Sequence, residues 1–410
     1  MKTLWKAGTA LACLLALGSP LLAQTVAQAQ TQQRARDLNV PFDGTPGPLN
    51  AITDVPGVEV GFTTKISGEG KLTVGKGPVR TGVTAILPRG KNFKDPVFAG
   101  FYSQNGNGEM TGIHWVKESG FLEGPVMITN THSVGTVRDS VIDWEMKHGA
   151  TQYPWSLPVV AETYDGFLND INGFHVTHDD TWRAIDTAMT GRVAEGNVGG
   201  GTGMRCFGFK GGTGTASRML TASQGGYVIG VLVQCNTGSA HDLRIGGVPV
   251  GQALHQDRRA ELPYGADHVD TGSIIIVIAT NAPLTAAQLD RLCRRATLGL
   301  GRVGGTSGDG SGDIFVSFSI ANPGADSAPP PFQQGAAETP TAPPVAQIGM
   351  LPNWAMSPLF DATVQATEEA IVNAMVGAQT MTGIDGNTLK AVPHEDLKRL
   401  MGEQHAVTAW

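Results

Sequence analysis

The sequence predicts an α/β protein in which helices pack on the faces of β-sheets. Residues 274–280 are almost continuously apolar and mostly β-branched, which is typical of a strand buried on both faces. A helical period follows, with Leu289, Leu292 and Ala296 on one face. Apolar residues make up 41% and charged residues 16% of the 410-residue chain, so a sizeable core is possible. Several such strands between a few long helices indicate a layered structure.

Other segments alternate apolar runs with turn residues and are predicted to contain the remaining strands. They are VEVGFTT, KLTVGK, TGVTAILP, LPVVAETYD, GGYVIGVLVQCN and DIFVSFSIA. A strand followed by a helix is predicted in GPVMITNTHSVGTVRDSVIDWEMKHG. Residues 196–215 are rich in glycine, and we expect a tight loop whose backbone packs closely against its neighbours.

Capping residues place two helices in the C-terminal part of the chain, and the first is the one that carries Leu289, Leu292 and Ala296. One is expected to begin at about Thr285. Ser357 and Pro358 are expected to cap the other, which runs to about Ala378. Between these helices, residues 323–346 are rich in proline and are predicted to form an exposed loop or linker.

The N-terminus has the features of a cleavable secretion signal. Two lysines in MKTLWK precede the apolar stretch AGTALACLLALGSPLLA, which is too short to span a membrane comfortably. The small residues AQA follow, and Ala29 is the last of them. We therefore expect residues 1–29 to be removed, leaving a periplasmic or secreted protein with no membrane segment. An uncleaved anchor is the alternative.

Composition and missing motifs exclude several classes of function. The net charge of −7 and the lack of a basic run interleaved with aromatics argue against nucleic acid as a partner. No HExxH motif and no paired CxxC motif is present, so neither a metal nor another cofactor is expected. The α/β-hydrolase motif GxSxG is absent, and the glycine-rich segment lacks the GK[ST] ending of a phosphate-binding loop.

Three cysteines remain once the signal is removed, namely Cys206, Cys235 and Cys293. This odd and sparse set is not a disulfide framework, and a core of this size needs no covalent support. We therefore expect no disulfide. Cys293 falls within a helical pattern and is expected to be a small buried apolar group.

Polar residues lie at the ends of four predicted strands and are the candidates for chemistry. Glu162 and Tyr164 end one strand, and Asn236 ends another. Gly272 and Ser273 lie directly before the apolar run at 274–280. Ser311 and Asp313 precede a fourth strand in GDGSGD. If these ends converge, they supply a nucleophile, a relay, an oxyanion donor and a carboxylate that binds an amine. Each also has a structural alternative, as a turn residue or a surface acid.

The segments that carry these residues resemble one protein family. They are LNAITDVPGVEVG, GNGEMTGIHWVKESGFLEGPVMITNTHSVG, VVAETYDGFLNDING, GNVGGGTGMRCFGFKGGTGTASR, GVLVQCNTG, GSIIIVIATNAPL and SGD, in this order. Together they resemble the self-processing serine aminopeptidases of the DmpA and BapA type, which include L-aminopeptidase D-amidase/esterases and β-peptidyl aminopeptidases. The resemblance runs from about Arg34 to the C-terminal helix.

The resemblance implies an αββα sandwich, in which two sheets lie between two helical layers. It also implies that the precursor cuts itself between Gly272 and Ser273. One catalytic domain would then consist of an α-subunit, residues 30–272, and a β-subunit, residues 273–410, and such αβ units would assemble into a homo-oligomer. A glycine before the cut fits this chemistry, because the missing Cβ permits a strained conformation and a close approach.

The resemblance also implies a role for each polar strand end. Ser273 would be the nucleophile. Its base would be either its new α-amine or a relay formed by Ser311 and Asp313. Some relatives carry glutamate at the position of Asp313. Asn236 and Tyr164 would stabilise the oxyanion. Glu162 would bind the free amine of the substrate and so restrict the enzyme to N-terminal residues.

The expected function is removal of the N-terminal residue from short peptides, amides or esters through an acyl-enzyme on Ser273. The exported character favours β-alanyl-type substrates, and an L-aminopeptidase or D-amidase/esterase specificity is the close alternative. An acyl transferase similar to the ornithine acetyltransferases is a weaker candidate, because those enzymes use threonine as nucleophile. An exported amine-binding protein without activity is the candidate from another class.

Overall fold

The computed structural model describes residues 32–254, 272–327 and 345–408. The predicted signal at 1–29 and most of the proline-rich segment lie outside these residues. Two large sheets dominate the fold. The smaller has four strands, and the larger has six. Two short hairpins complete the strand set of the described residues.

The strands have these bounds: β1 Glu59–Ser67, β2 Val79–Lys91, β3 Val97–Gly106, β4 Phe121–Leu122, β5 Val126–Asn130, β6 Val159–Thr163, β7 Arg205–Cys206, β8 Phe209–Lys210, β9 Gly212–Met219, β10 Val228–Asn236, β11 Ser273–Thr280, β12 Gly312–Ser319, β13 Met381–Thr382 and β14 Thr388–Leu389. The smaller sheet has the order β1-β2-β5-β6, the larger has the order β4-β3-β12-β11-β10-β9, and the hairpins are β7-β8 and β13-β14. The helices are α1 Ile113–Ser119, α2 Val134–His148, α3 His178–Asp186, α4 Val250–Leu254, α5 Ala286–Arg302, α6 Ser357–Val376 and α7 His394–Thr408.

Strand β11 is buried along its whole length, as its composition predicts. Because side chains alternate along a strand, its residues enter two different cores. Ile274, Ile276 and Ile278 pack into the core shared with helices α5 and α6. Ile275 and Val277 pack into the core between the two sheets. A third core joins the outer face of the smaller sheet to α2 and α3. The layer order is therefore αββα, which confirms the expected fold.

Several local predictions hold and two are wrong. Helix α5 follows Thr285, which forms a capping box with Gln288. Ser357 does not cap α6, because the helix already includes it and Met356 occupies the N-cap position. KLTVGK is not a strand: Leu72 and Val74 are both exposed, so the apolar alternation has no core to face.

The expectation of no disulfide is also wrong, because Cys206 and Cys235 form one. The odd number of cysteines excludes complete pairing, but it does not exclude one pair. Their Cα atoms lie 5.5 Å apart because the β7-β8 hairpin returns the chain to the end of β10. Cys293 is a buried free thiol as predicted, and burial raises its pKa to about 12.

The glycine-rich segment forms the tight loop that its composition predicts. Residues Gly199–Gly203 make one 3-10 helix, and all five are buried. A Cβ on Gly201 would lie 2.3 Å from the backbone nitrogen of Thr213. Only glycine therefore permits this loop to lie directly against strand β9.

Candidate active site

Ser273 is the first residue of β11 and lies where three strands meet. It pairs with Asn236, the last residue of β10, on one side and with Gly312, the first residue of β12, on the other. Its side chain is almost completely buried. The backbone N–H of Gly312 donates to the Oγ of Ser273 over 3.2 Å. The hydroxyl is thus held at a fixed point between two neighbouring strands.

Gly272, on the other side of the predicted cut, is held by the same backbone group. Its carbonyl oxygen accepts a 3.1 Å hydrogen bond from the N–H of Gly312. A Cβ at Gly272 would lie 2.0 Å from the carbonyl oxygen of Asn236. Glycine is therefore required here by the close approach of strand β10, and its φ lies outside the left-handed region.

Ser311 and Asp313 flank Gly312, so they lie beside Ser273. The hydroxyl of Ser311 donates to Oδ1 of Asp313 over 2.7 Å, and neither side chain is exposed to solvent. The Oγ of Ser311 also lies 3.4 Å from the hydroxyl of Thr237, which follows Asn236. The two predicted relay residues are therefore hydrogen-bonded to each other at the strand ends.

Asn236 presents one end of its amide to this region. Its Oδ1 accepts a 2.8 Å hydrogen bond from the backbone N–H of Arg205. Its side-chain nitrogen makes no hydrogen bond within the part of the chain that the structure describes. Since the oxygen is held by Arg205, the NH₂ group remains as a donor for an oxygen bound beside Ser273.

Glu162 lies at the end of β6 and is buried at the border of the two sheets. It accepts hydrogen bonds from the backbone N–H of Glu109 over 3.0 Å and from the hydroxyl of Thr131. Burial raises the pKa of Glu162, and these hydrogen bonds oppose the shift. A Cβ on Gly108 would lie 3.2 Å from Oε1 of Glu162 and 3.3 Å from the Cα of Gly312. One glycine thus separates this carboxylate from the strand end that holds Ser273.

Tyr164 is placed differently from the other candidates. It is 51% exposed, and no hydrogen bond joins its hydroxyl to another described residue. Its ring folds back over Gly166 in the loop after β6. The strand ends of Ser273, Asn236, Ser311 and Asp313 therefore converge, Glu162 borders them, and Tyr164 stands at the surface.

Comparison with known proteins places this arrangement in a family. Residues 50–389 match peptidase family S58. This chain belongs to peptidase family S58. It is therefore a peptide-bond hydrolase.

Two relatives of this S58 peptidase are named beta-peptidyl aminopeptidase BapA. The protein from Sphingosinicella microcystinivorans is 51% identical over 386 residues, which cover 92% of this chain and 93% of the relative. The protein from Sphingosinicella xenopeptidilytica is 47% identical over 380 residues, with 90% of each chain covered.

Solved structures of two S58-like enzymes have the same fold. A beta-aminopeptidase from a Burkholderia species has a TM-score of 0.80 at 44% identity and covers 92% of this chain and 99% of its own. The L-aminopeptidase D-Ala-esterase/amidase from Ochrobactrum anthropi has a TM-score of 0.79 at 44% identity and covers 91% and 99%. The Ochrobactrum anthropi structure is described as a variant of the Ntn hydrolase fold, which agrees with the αββα layers of this chain.

Sequence reasoning missed four features of the candidate site. The backbone N–H of Gly312 contacts both sides of the predicted cut, and a backbone group cannot be recognised from the sequence. Thr131, the partner of Glu162, follows β5 in the segment ITNTHS, so a polar strand end was available as a signal. The Cys206–Cys235 disulfide and the contact from Arg205 to Asn236 were also missed.

None of the helices in the described residues is long and apolar enough to cross a membrane. In the same residues, no group of three or more histidine, cysteine, aspartate or glutamate side chains is arranged to hold a metal ion.

Proposed function

We propose that this S58 peptidase is a β-peptidyl aminopeptidase that cuts itself between Gly272 and Ser273 and then uses Ser273 as its nucleophile. The main support is the position of Ser273. Its Oγ and the carbonyl oxygen of Gly272 both accept from the N–H of Gly312. The 51% and 47% identity to proteins named beta-peptidyl aminopeptidase supports the choice of substrate class.

Self-cleavage follows from the arrangement around the scissile bond. The Oγ of Ser273 attacks the carbonyl carbon of Gly272 while its proton moves to a base. The carbonyl oxygen gains negative charge within 3.1 Å of the N–H of Gly312. The C–N bond then breaks as the nitrogen takes up a proton, which leaves an ester between Gly272 and Ser273. Water hydrolyses this ester, giving a carboxylate on Gly272 and restoring the hydroxyl.

The cleaved enzyme would use the same hydroxyl on external substrates. A serine hydroxyl needs a base, and two candidates are adjacent: the new α-amine, which titrates near pH ~8 in model peptides, and the hydrogen-bonded pair of Ser311 and Asp313. The Oγ of Ser273 attacks the scissile carbonyl, the amine of the remaining peptide leaves, and water releases the acyl group. The side-chain nitrogen of Asn236 is the proposed oxyanion donor, and the exposed Tyr164 is a second candidate for this role.

Glu162 is proposed to bind the substrate's ammonium group. Because this carboxylate is mostly buried, only a ligand that enters the site can reach it. An ammonium group there would form a charge-assisted hydrogen bond with it. A peptide would thus be positioned by its free N-terminus, which explains cleavage of terminal residues rather than internal ones.

We further propose that the protein is exported. Residues 1–29 would be removed after Ala29, and the mature enzyme would consist of residues 30–272 and 273–410 in the periplasm or outside the cell. The Cys206–Cys235 disulfide supports this location, since disulfides persist in oxidising compartments. We also propose a homo-oligomer of such αβ units, with Val345 and Trp354, which are 82% and 86% exposed, as candidate contacts.

An L-aminopeptidase or D-amidase/esterase specificity is the second candidate, because the Ochrobactrum anthropi enzyme of that description is 44% identical. Rates on β-alanyl, L-alanyl and D-alanyl amides separate the two. An acyl transferase would consume an acyl ester only when an acceptor amine is added, and an amine-binding protein would turn over none of these substrates.

The decisive measurement is the intact mass of the purified protein beside its Ser273→Ala variant. We expect two polypeptides, 30–272 and 273–410, in the wild type and one uncut chain in the variant. Faster release of β-alanine than of L-alanine from the matched amides would then support the β-peptidyl assignment. A single uncut chain in both samples would rule out Ser273 as the self-processing nucleophile.

A further inference from the structure

Arg205 lies beside the proposed oxyanion asparagine and is held there from several directions. Its backbone N–H donates to Oδ1 of Asn236 over 2.8 Å. The next residue, Cys206, forms the disulfide with Cys235, the neighbour of Asn236. Two adjacent positions of hairpin β7-β8 are thus fixed to two adjacent positions at the end of β10.

The opposite strand of the hairpin is fixed as well. Lys210 pairs with Arg205 across the hairpin and is completely buried. Its ammonium group donates to the carbonyl oxygens of Met204 over 3.0 Å and of Gly211 over 2.7 Å. The backbone that carries Arg205 is therefore a rigid support, as a ligand-binding position requires.

The side chain of Arg205, in contrast, has no anionic partner among the described residues. It is exposed, and its guanidinium lies 6.0 Å above the ring of Phe167. Two less exposed arginines have acid partners, since Arg34 pairs with Glu195 at 2.7 Å and Arg218 with Glu369 at 2.8 Å. Neighbouring protein atoms lower the pKa of Arg205 by desolvation, and no acid offsets this loss.

Phe167 connects this guanidinium to the strand that carries Glu162. It belongs to the loop that follows Glu162 and Tyr164, so the guanidinium of Arg205 lies over the chain segment that leaves this strand end. The carboxylate of Glu162 is buried, whereas the guanidinium of Arg205 is at the surface. A buried negative charge at Glu162 is thus followed by an exposed positive charge over the next loop.

A short peptide at neutral pH has the complementary charges, an ammonium group at one end and a carboxylate at the other. We propose that Arg205 binds the free α-carboxylate of the residue that leaves, so that the preferred substrates are dipeptides with an unmodified C-terminus. The planar guanidinium can donate two parallel hydrogen bonds to such a carboxylate. This inference rests on the proposed function, because it requires the ammonium group of the substrate to bind at Glu162.

The test compares kcat/KM for a β-alanyl dipeptide with a free C-terminus and for the same dipeptide with an amidated C-terminus. The free acid can form a charge-assisted hydrogen bond that the amide cannot, and solvent screens part of it at an exposed guanidinium, so we expect the wild type to prefer the free acid by about 10-fold. In Arg205→Gln this preference should fall to nearly one, mainly through a higher KM for the free acid. Arg205→Lys should retain part of it, because the charge remains but the fork of donors is lost.

The matched control is Arg294→Gln. Arg294 is also exposed and also lies over an aromatic ring, 5.9 Å from that of Tyr102, but on helix α5. It should keep the wild-type preference. A general disturbance of Asn236 in Arg205→Gln would lower both rates and leave their ratio unchanged, and that result would overturn the proposal. The proposal for Arg205 would also be overturned if the wild type hydrolysed both peptides without preferring the free acid. If the wild type hydrolysed neither peptide, the proposed function itself would be overturned.

Discussion

The hydroxyl of Ser311 donates a 2.7 Å hydrogen bond to Oδ1 of Asp313, and both side chains are shielded from solvent beside Ser273. A buried carboxylate that accepts from a hydroxyl orients that hydroxyl and stabilises positive charge near it. We therefore expect Asp313→Asn to lower kcat by about 10²- to 10⁴-fold, the range for loss of acid–base assistance. Self-cleavage should slow as well, which a time course of intact mass measures.

The control for this prediction is Asp309→Asn in the same loop. Asp309 is exposed, so its substitution should leave both self-cleavage and kcat close to those of the wild type. Full activity of Asp313→Asn, with an unchanged rate of self-cleavage, would contradict a role for Asp313 in proton transfer.

Asn236 can be tested by a substitution that removes its donor group and keeps an acceptor oxygen. In Asn236→Asp the side chain keeps an oxygen for the N–H of Arg205 but loses the NH₂ group. Loss of one oxyanion donor costs about 10²- to 10³-fold in kcat, and the new carboxylate also repels the oxyanion, so we expect a decrease of at least this size. Steady-state kinetics on a β-alanyl amide measure it, with the exposed Asn92→Asp as control. A changed KM with an unchanged kcat would instead indicate a role in binding.

The sequence was sufficient for the fold because its strands are unusually apolar. The run from Ile274 to Thr280 has no polar face, so it requires protein on both sides, and the structure supplies a helical layer and a second sheet. KLTVGK shows where the same reasoning fails. Apolar alternation predicts a strand only if one face meets a core, and Leu72 and Val74 meet solvent.

The site was only partly predictable. Polar residues at strand ends identified the candidates, but their convergence depends on the parallel pairing of β11 with β12, which local patterns do not encode. The contact of Gly312 with Ser273 comes from backbone atoms and has no sequence signature. The Cys206–Cys235 bond depends on the return of hairpin β7-β8, which also lies beyond local patterns.

Burial of Glu162 predicts a pH dependence of substrate binding. Burial raises the pKa of this carboxyl above its ordinary value of about 4.3, so its ionised form is lost at a higher pH than in a solvated glutamate. The ammonium group of the substrate binds the ionised form. KM should therefore rise as the pH falls through the raised pKa, by about tenfold per pH unit below it.

Glu162→Gln provides the comparison for this pH dependence. It should show a high KM at every pH, because its amide does not ionise, and its pH profile should be flat over the same interval. The neighbouring charges of Glu109 and His132 remain in the variant, so they do not explain a difference between the two profiles. A wild-type KM that stays constant as the pH falls would contradict binding of the amine by Glu162.

The Cys206–Cys235 disulfide predicts a measurable contribution to stability. The two cysteines are 29 residues apart, and closing a loop of that length in the unfolded chain corresponds to about 3.6 kcal/mol. We expect the free energy of unfolding to fall by about this amount in Cys206→Ser/Cys235→Ser. The comparison is best made by urea denaturation in the uncut Ser273→Ala background, where unfolding involves one chain. A thiol titration of the denatured mature protein should detect only Cys293 before reduction, and three reactive thiols before reduction would show that the pair is not oxidised.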